Sequence, residues 1–455
     1  MLVSVYPIET LDHDKPIFYY PRGFSPGTSI KKIAFGSGLI EAVLLPNPEN
    51  EETAAISKLV ADALHFPEYM DKAGLFCDGD TLFLGPLIGL FTSNLIDSSE
   101  KPAGDRSHFY SKLLSTCTEA GAAGYLFTAN GIDWEKNLVK GYFFAEGKWK
   151  TRTAPLPNVI YDRLPTRKSE NRPEAKLAKE KLANDYMIPS FNPGFFNKLD
   201  IMNRLSGVSE AQKYMPETML FTSVNETRRL LDKFGSIYLK PANGTLGMGI
   251  RHVIAEFPGS TCYCRYRDNK GQNKLLKFTN LKTLISTMFN ESKLKKILVQ
   301  QRILLLKVNG RPVDFRVHTN KDGKGNWQVS AIAGKMAGNG SITTHVRSGG
   351  DIHTLKELFN EKKAKEVERK LSTAALELSN LLEGKMDGTI GELGFDFGLD
   401  RDGIVWLFEV NSKPGRSIFH HKGLRTYEAL TRKLTIDYCI HLAEKAVLVP
   451  GEVYK

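Results

Sequence analysis

Three oxygen-bearing side chains, Asp396, Glu409 and Asn411, stand close together in GTIGELGFDFGLDRDGIVWLFEVNSKPG, residues Gly388 to Gly415. The stretch reads as two strands joined by Asp-Arg-Asp-Gly. Asp-Gly is a strong hairpin signal, because a type I′ turn needs positive φ at both central residues. With Asp402 and Gly403 in those places, Arg401 faces Ile404 and Asp396 pairs directly with Glu409. Alternation then sets Leu393, Phe395, Phe397 and Leu399 on one face and Asp396 on the other. On the return strand Leu407, Glu409 and Asn411 share a face. Facing acids repel each other, and three hard oxygen ligands suit Mg²⁺ or Mn²⁺. Either a cation sits there, or the face is solvated in a slightly different register.

Cations of matching chemistry lie upstream. Lys240 ends an apolar strand, Ser236–Lys240, that runs into a loop holding Gly244, Gly247 and Gly249. A lysine meets phosphate as a point charge, and glycines let backbone N–H groups approach phosphate oxygens. The loop has neither the P-loop nor the dinucleotide-binding spacing, and a glycine-rich hairpin tip can also be only a turn. Arg316 in VDFRVHTN and Lys335 in AIAGKMA lie on strands joined by a tight turn. On one sheet face they suit a triphosphate or an acyl phosphate; standing alone they read as surface cations.

The elements that must position these groups follow from periodicity. Residues 1–95 are short apolar runs broken by Gly and Pro, a β-rich first domain with a helix near Glu51–Ala63. Residues 96–190 alternate helix and strand, a small α/β domain, with a charged linker or surface helix over 164–190. Residues 191–455 form the third domain. It has a helix at Asn225–Phe234, capped by Ser223 or Asn225, and strands at Ile297–Leu306, Val313–Asn320 and Trp327–Met336. Helix Lys362–Glu383 carries core residues at Val367, Leu371, Ala374, Ala375, Leu378, Leu381 and Leu382, which is helical spacing. The expected fold class is α+β / α/β.

Length and composition set outer bounds. The 455 residues suit about three domains, with ordinary hydrophobic and charged content. An excess of 62 Lys+Arg over 51 Asp+Glu favours phosphate-bearing or anionic partners. The basic residues are scattered and mixed with acids, without an arginine tract, zinc-finger spacing or aromatic RNA-binding signature, so no nucleic acid is expected. Five scattered cysteines read as reduced thiols in a cytoplasmic protein. The first residues lack a signal-peptide pattern, and no apolar run is long enough for a membrane span.

Read as a set, these features resemble the ATP-grasp superfamily, and within it the YheC/YheD-like group of endospore coat-associated proteins. IYLKPANGTLGMGI, LVQQRI, PVDFRVHTNKDGKGNWQVSAIAGKMA, TLKEL and GELGFDFGLDRDGIVWLFEVNSKPGRSIF carry the resemblance, with VIYDRLPTRKSE and FNPGFFNKLDIMNRL upstream. It implies two α+β subdomains clasping ATP, preceded by the small α/β pre-grasp domain and the β-rich N-terminal domain. Lys240 would contact the α/β phosphates, with Lys198 a second phosphate lysine. The Gly244–Gly249 loop would close over the β/γ phosphates. Gln300 and the backbone of Gln301 and Ile303 would meet adenine. Asp396, Glu409 and Asn411 would hold Mg²⁺ (or Mn²⁺), Glu409 bridging, while Arg316 and Lys335 would steady the transferring phosphoryl group.

The resemblance further implies a carboxylate–amine or carboxylate–thiol ligase acting through an acyl phosphate in spore formation. Its expected partners are ATP, a small carboxylate or peptide substrate, and spore coat proteins. The competing expectation is a coat-associated structural protein whose ATP-grasp fold turns over little. Two departures stand out. Lys307 occupies the stretch where many superfamily members carry a ribose-binding acid. The segment AGNGSITTHVRSGGDIH, with His345 and Arg347, is either a substrate loop or a plain connection.

Overall fold

A computed structural model describes residues 4–26, 30–242, 249–268, 270–338 and 350–454. Four sheets follow one another along the chain. The first has eight strands, drawn from Ser4 to Leu84. The second has seven strands, with Leu87–Phe91 at its centre between Ala123–Phe127 and Val159–Asp162, both parallel to it. The sequence reading leaves Leu87–Phe91 in the first domain. Its five residues are all buried, the pattern of a central parallel strand covered on both faces. The second sheet therefore begins before residue 95. One core cluster runs from Ile8 to Ile188 and joins both sheets.

Two other local expectations change. Ala54–Ser57 is a wholly buried strand between Ser4–Leu11 and Ile17–Tyr20, so the helix expected near 51–63 is only Lys58–Ala63. The charged stretch 164–190 is no linker. Its helix Pro173–Asn184 buries Ala175, Ala178 and Leu182 in that same core, leaves Lys176 exposed and turns Lys179 toward the buried Asp162.

The third sheet spans Thr218–Gln301 and has six strands. Ile237, Leu239, Val253, Cys262, Cys264 and Val299 pack one face against helices Val224–Phe234 and Leu281–Met288. Ser223 caps the first helix, accepting a hydrogen bond from the Glu226 N–H. The fourth sheet orders Asp351–His353, Trp327–Met336, Arg311–Lys321, Glu392–Leu399 and Val405–Asn411 side by side. Val317, Leu393, Phe395, Phe397 and Leu399 lie against helix Glu361–Glu383, which buries Val367, Leu371, Ala374, Ala375, Leu378 and Leu382. Alternation leaves the opposite face of each sheet to Lys240, Arg316, Asp396 and their neighbours. The final helix, Arg425–Leu448, packs on both the fourth and the second sheets. Among the described residues no helix is long and apolar enough to cross a membrane.

One side chain ties the open end of the acid-bearing hairpin. Asn192 is fully buried with φ at 58°. Its Oδ1 accepts from the N–H groups of Gly391 (2.9 Å) and Glu392 (3.2 Å). Its Nδ2 donates to the carbonyls of Glu392 and Ser412. Next to it, Lys413 Nζ lies 2.7 Å from Asp162 and 2.6 Å from Glu170, and Lys179 reaches Asp162 at 2.7 Å. Asn192→Ala strands four buried backbone groups and places a Cβ-bearing residue with no compensating bond in the left-handed region. Its expected cost is on the order of 3–5 kcal/mol in denaturant unfolding; a loss below about 1 kcal/mol contradicts the clamp.

Candidate functional site

Asp396 does pair with Glu409, but the turn differs from the two-residue type I′ form. Gly403 has φ of 78°, whereas Asp402 is not among the positive-φ residues. The closing bonds are Asp400 N–H to the Ile404 carbonyl (3.1 Å) and Gly403 N–H to the Asp400 carbonyl (3.2 Å). This is a three-residue connection whose last residue is left-handed. Asp400 builds it: its carboxylate accepts from the N–H groups of Asp402 and Ile404 and from the Trp406 indole.

That turn alone would set Asp396 one residue out of step. Pairing runs Leu399 with Val405 and Phe397 with Leu407, then shifts between Phe397 and Asp396. Phe408 is the extra residue of a β-bulge. Leu407 therefore joins the core beside Phe397, while Phe408 and Glu409 both face the third sheet. The expected shared face for Leu407 and Glu409 is corrected accordingly. Gly398 makes room for the ring: a Cβ there would lie 2.5 Å from Phe408 Cζ.

The third and fourth sheets enclose a cavity of about 540 Å³. Lys198, Lys240, Gln300, Gln301, Ile303, Lys335, Asp396 and Glu409, all expected site residues, line it. Arg316 stands behind Asp396 and grips it with two bonds of 2.9 Å, Nε to Oδ1 and Nη2 to Oδ2. Lys335 also donates to Asp396 and lies 3.6 Å from Asp314. Lys198, the first residue of helix Lys198–Ser206, lies 3.2 Å from Glu409. Burial by itself would raise the Asp396 pKa, but Arg316 and Lys335 hold it well below the usual carboxylate range.

Lys240 is half-buried beside the Tyr238 and Phe408 rings, at 5.2 and 5.6 Å from their centroids, and donates to Gln300 Oε1. Desolvation, with the nearby Lys198 charge, lowers its pKa to about 8 against the pull of Glu409 and Asp314.

Some expected groups stand elsewhere. Asn411 pairs with Gly394, one row beyond Asp396, and does not line the cavity. The Gln301 N–H already donates to the Glu217 carbonyl. Gly249 has φ of 77°, and a Cβ would meet Pro241 at 2.9 Å, so a glycine fits there. Gly244, Gly247, His345 and Arg347 lie outside the described residues. Among the described residues no three His, Cys, Asp or Glu side chains converge on a metal position. The donor set open to a divalent cation is two facing carboxylates with an amide nearby. Ammonium groups of Lys198 and Lys335 now sit against those carboxylates, so the set fits a hard cation.

A family profile described as YheC/D like ATP-grasp matches residues 187–442. Endospore coat-associated protein YheD of Bacillus subtilis strain 168 is 37% identical over 422 residues, covering 92% of each chain. This chain belongs to the YheC/D-like ATP-grasp family. Endospore coat-associated protein YheC of the same organism is 24% identical over 315 residues, 68% of this chain and 85% of that one. Among solved structures, D-alanyl-alanine synthetase A from Vibrio cholerae O1 biovar eltor superposes with a TM-score of 0.44 at 14% identity, over 77% of this chain and 98% of its own. The family profile spans both the third and the fourth sheets.

Sequence reasoning missed Tyr238, His252 and Arg302 on the cavity wall and the Asn192–Lys413 docking residues. Tyr238 and His252 had a visible signal: each sits at the cavity phase of an alternating strand, as Lys240 does. Asn192 and Lys413 had none, because their partners are distant in sequence.

Desolvation of Lys240 makes stability depend on pH. Its ordinary pKa of 10.5 holds in the unfolded chain, against about 8 when folded. Below pH 8 both states are charged and burial costs stability. Between pH 8 and 10.5 the unfolded chain binds more protons, so stability rises with pH. Lys240→Met is expected to stabilise the protein at pH 7 by roughly 1–3 kcal/mol, the gain shrinking as pH climbs through that window. Denaturant midpoints across pH check this; a destabilised variant at pH 7 contradicts it.

Proposed function

We propose that the protein is an ATP- and Mg²⁺-dependent ligase that joins a carboxylate to an amine or thiol through an acyl phosphate. The single observation behind this reading is the convergence at one cavity of Asp396 facing Glu409, Lys335 and Arg316 against Asp396, and a half-buried Lys240 across the gap.

Lys240 and Lys198 hold the triphosphate by charge, and the chain around Gly249 approaches it through backbone N–H groups. The hinge strip at Gln300 and Ile303 borders the base. When bound, Mg²⁺ supplies further neutralisation of phosphate charge, held by Asp396 and Glu409 with Asn411 as the third candidate ligand. Arg316 and Lys335 offset charge gathering on the γ-phosphoryl group as the substrate carboxylate oxygen attacks phosphorus and ADP leaves. The acceptor then attacks the acyl carbon and expels phosphate. Such chemistry needs alignment and charge stabilisation more than a protein nucleophile.

The name of the relative YheD supports a place in spore formation, in a cytoplasmic protein that meets the spore coat. A second reading is a coat-associated structural protein that binds ATP and turns over little. It is favoured by one observation: Arg316, Lys335 and Lys198 already neutralise the acids, so the fold stands without a metal.

The test is ADP release from Mg²⁺-ATP in the presence of amino-acid and peptide pools. Wild type is expected to release ADP only with metal and a substrate pool, and Glu409→Ala to lose on the order of a hundredfold or more. Metal-dependent nucleotide binding without release supports the structural reading. Equal nucleotide affinity in wild type and Glu409→Ala, with no release from any pool, sinks the ligase.

A further inference from the structure

Charge is unevenly placed along the cavity. Among the described residues eight lysines and arginines line it against three acids, Asp314, Asp396 and Glu409. All three acids are engaged at the phosphate end, by Lys335 and Lys198. The glycine-rich stretches 243–248 and 339–349 contain no Asp or Glu. Of the other lining cations Lys240 lies toward the glycine-rich loop and Arg311 pairs with Asp351 at 2.7 Å, while Arg302 and Arg265 stand near the strip at Gln300 and Ile303, where an adenosine carries no charge.

Strand register fixes where they stand. Gln300, Tyr238, His252 and Arg265 form one row across the third sheet, neighbour to neighbour. Lys240 lies one row toward the glycine-rich loop, about 6.6 Å away along the strand. Arg302 lies one row the other way, its Nη1 3.4 Å from Ser236 Oγ. His252 sits between the two arginines. It stacks on Tyr238 at 4.9 Å between centroids, is only 6% exposed, and its Nε2 has no hydrogen-bond partner. Burial, then Arg302 and Arg265, push its pKa down to about 3, so the imidazole is neutral. A buried ring nitrogen without a partner costs stability unless a ligand or water completes it. Two guanidiniums held beside it favour an anion in that place.

We propose that this end of the cavity is a second oxyanion subsite, in which Arg302 and Arg265 take the charge and His252 Nε2 bonds one oxygen. The proposal rests on the reading of the cavity as a nucleotide site. The ligand chemistry is a phosphate-type oxyanion. It comes either as a substituent on the nucleotide's own ribose or as a separate anion bound beside ATP.

Calorimetry on the full chain separates the two sources. One arm titrates inorganic phosphate into ADP-saturated protein. The other compares 3′-phosphoadenosine 5′-phosphate with 5′-AMP. The subsite predicts that phosphate binds beside ADP, or that the 3′-phosphate tightens binding by about tenfold or more, the worth of a charge-assisted contact. The gain is expected to vanish in Arg265→Gln/Arg302→Gln and to weaken in His252→Phe, which keeps the ring stack. Thermal melting confirms that the variants fold, and the single Arg302→Gln serves if the double variant does not. No gain in either arm, or a gain that survives removal of the arginines, overturns the subsite. If ADP itself fails to bind, the nucleotide reading falls separately. Phosphate titration of the nucleotide-free protein then decides the subsite, and an affinity that the Arg→Gln variants leave unchanged overturns it.

Discussion

Two carboxylates cannot face each other across a strand pair without compensating charge. Asp396 and Glu409 do face each other, and much of the surrounding architecture answers that constraint. Arg316 comes from the adjacent strand and spans Asp396 with two bonds; Lys335 comes from the strand beyond. Lys198 reaches Glu409 from the start of a helix far upstream in the chain. Each of these cations is held against an acid, so the facing carboxylates are neutralised within the fold itself.

The register that makes the acids face each other is held at both ends of the hairpin. At the closed end Asp400 organises the turn, and the Phe408 bulge restores the pairing that the longer turn would otherwise shift. The bulge has a second effect, because it lets Phe408 and Glu409 point to the same side. Phe408 then lies over Gly398 and beside Lys240, which closes the cavity wall. At the open end Asn192 bonds both strands, and Lys413 docks the following loop on Asp162 and Glu170. Bulges near functional sites commonly re-aim a side chain in this way.

Much of this was legible in the sequence, for physical reasons. Alternation along GFDFGL separated the core phenylalanines from Asp396, and helical spacing from Val367 to Leu382 marked the face that covers them. Lys240, Gln300, Lys335 and Glu409 were each readable from strand phase or family resemblance, and they meet at one cavity. The turn was not legible, because Asp402-Gly403 suits more than one loop length and the outcome hung on the Asp400 side chain. Leu407 was misplaced for the same reason: a bulge inserts a residue without a sequence mark. The buried strand Ala54–Ser57 lacks the alternation that separates strand from helix, and the Asn192 clamp joins residues that only the fold brings together.

Lys240 and His252 show what such a cavity costs. His252 is buried and Lys240 half-buried, and desolvation disfavours the charged form of each. Sites of this kind give up stability for binding. We propose that Asp396 and Glu409 form a cation site completed by nucleotide. Electron paramagnetic resonance of free Mn²⁺, titrated with the protein in the presence and absence of ADP, tests it most directly. ADP is expected to tighten Mn²⁺ binding to the wild type, and Glu409→Gln to abolish the gain while remaining folded. Mn²⁺ binding that ignores both ADP and the substitution would contradict it.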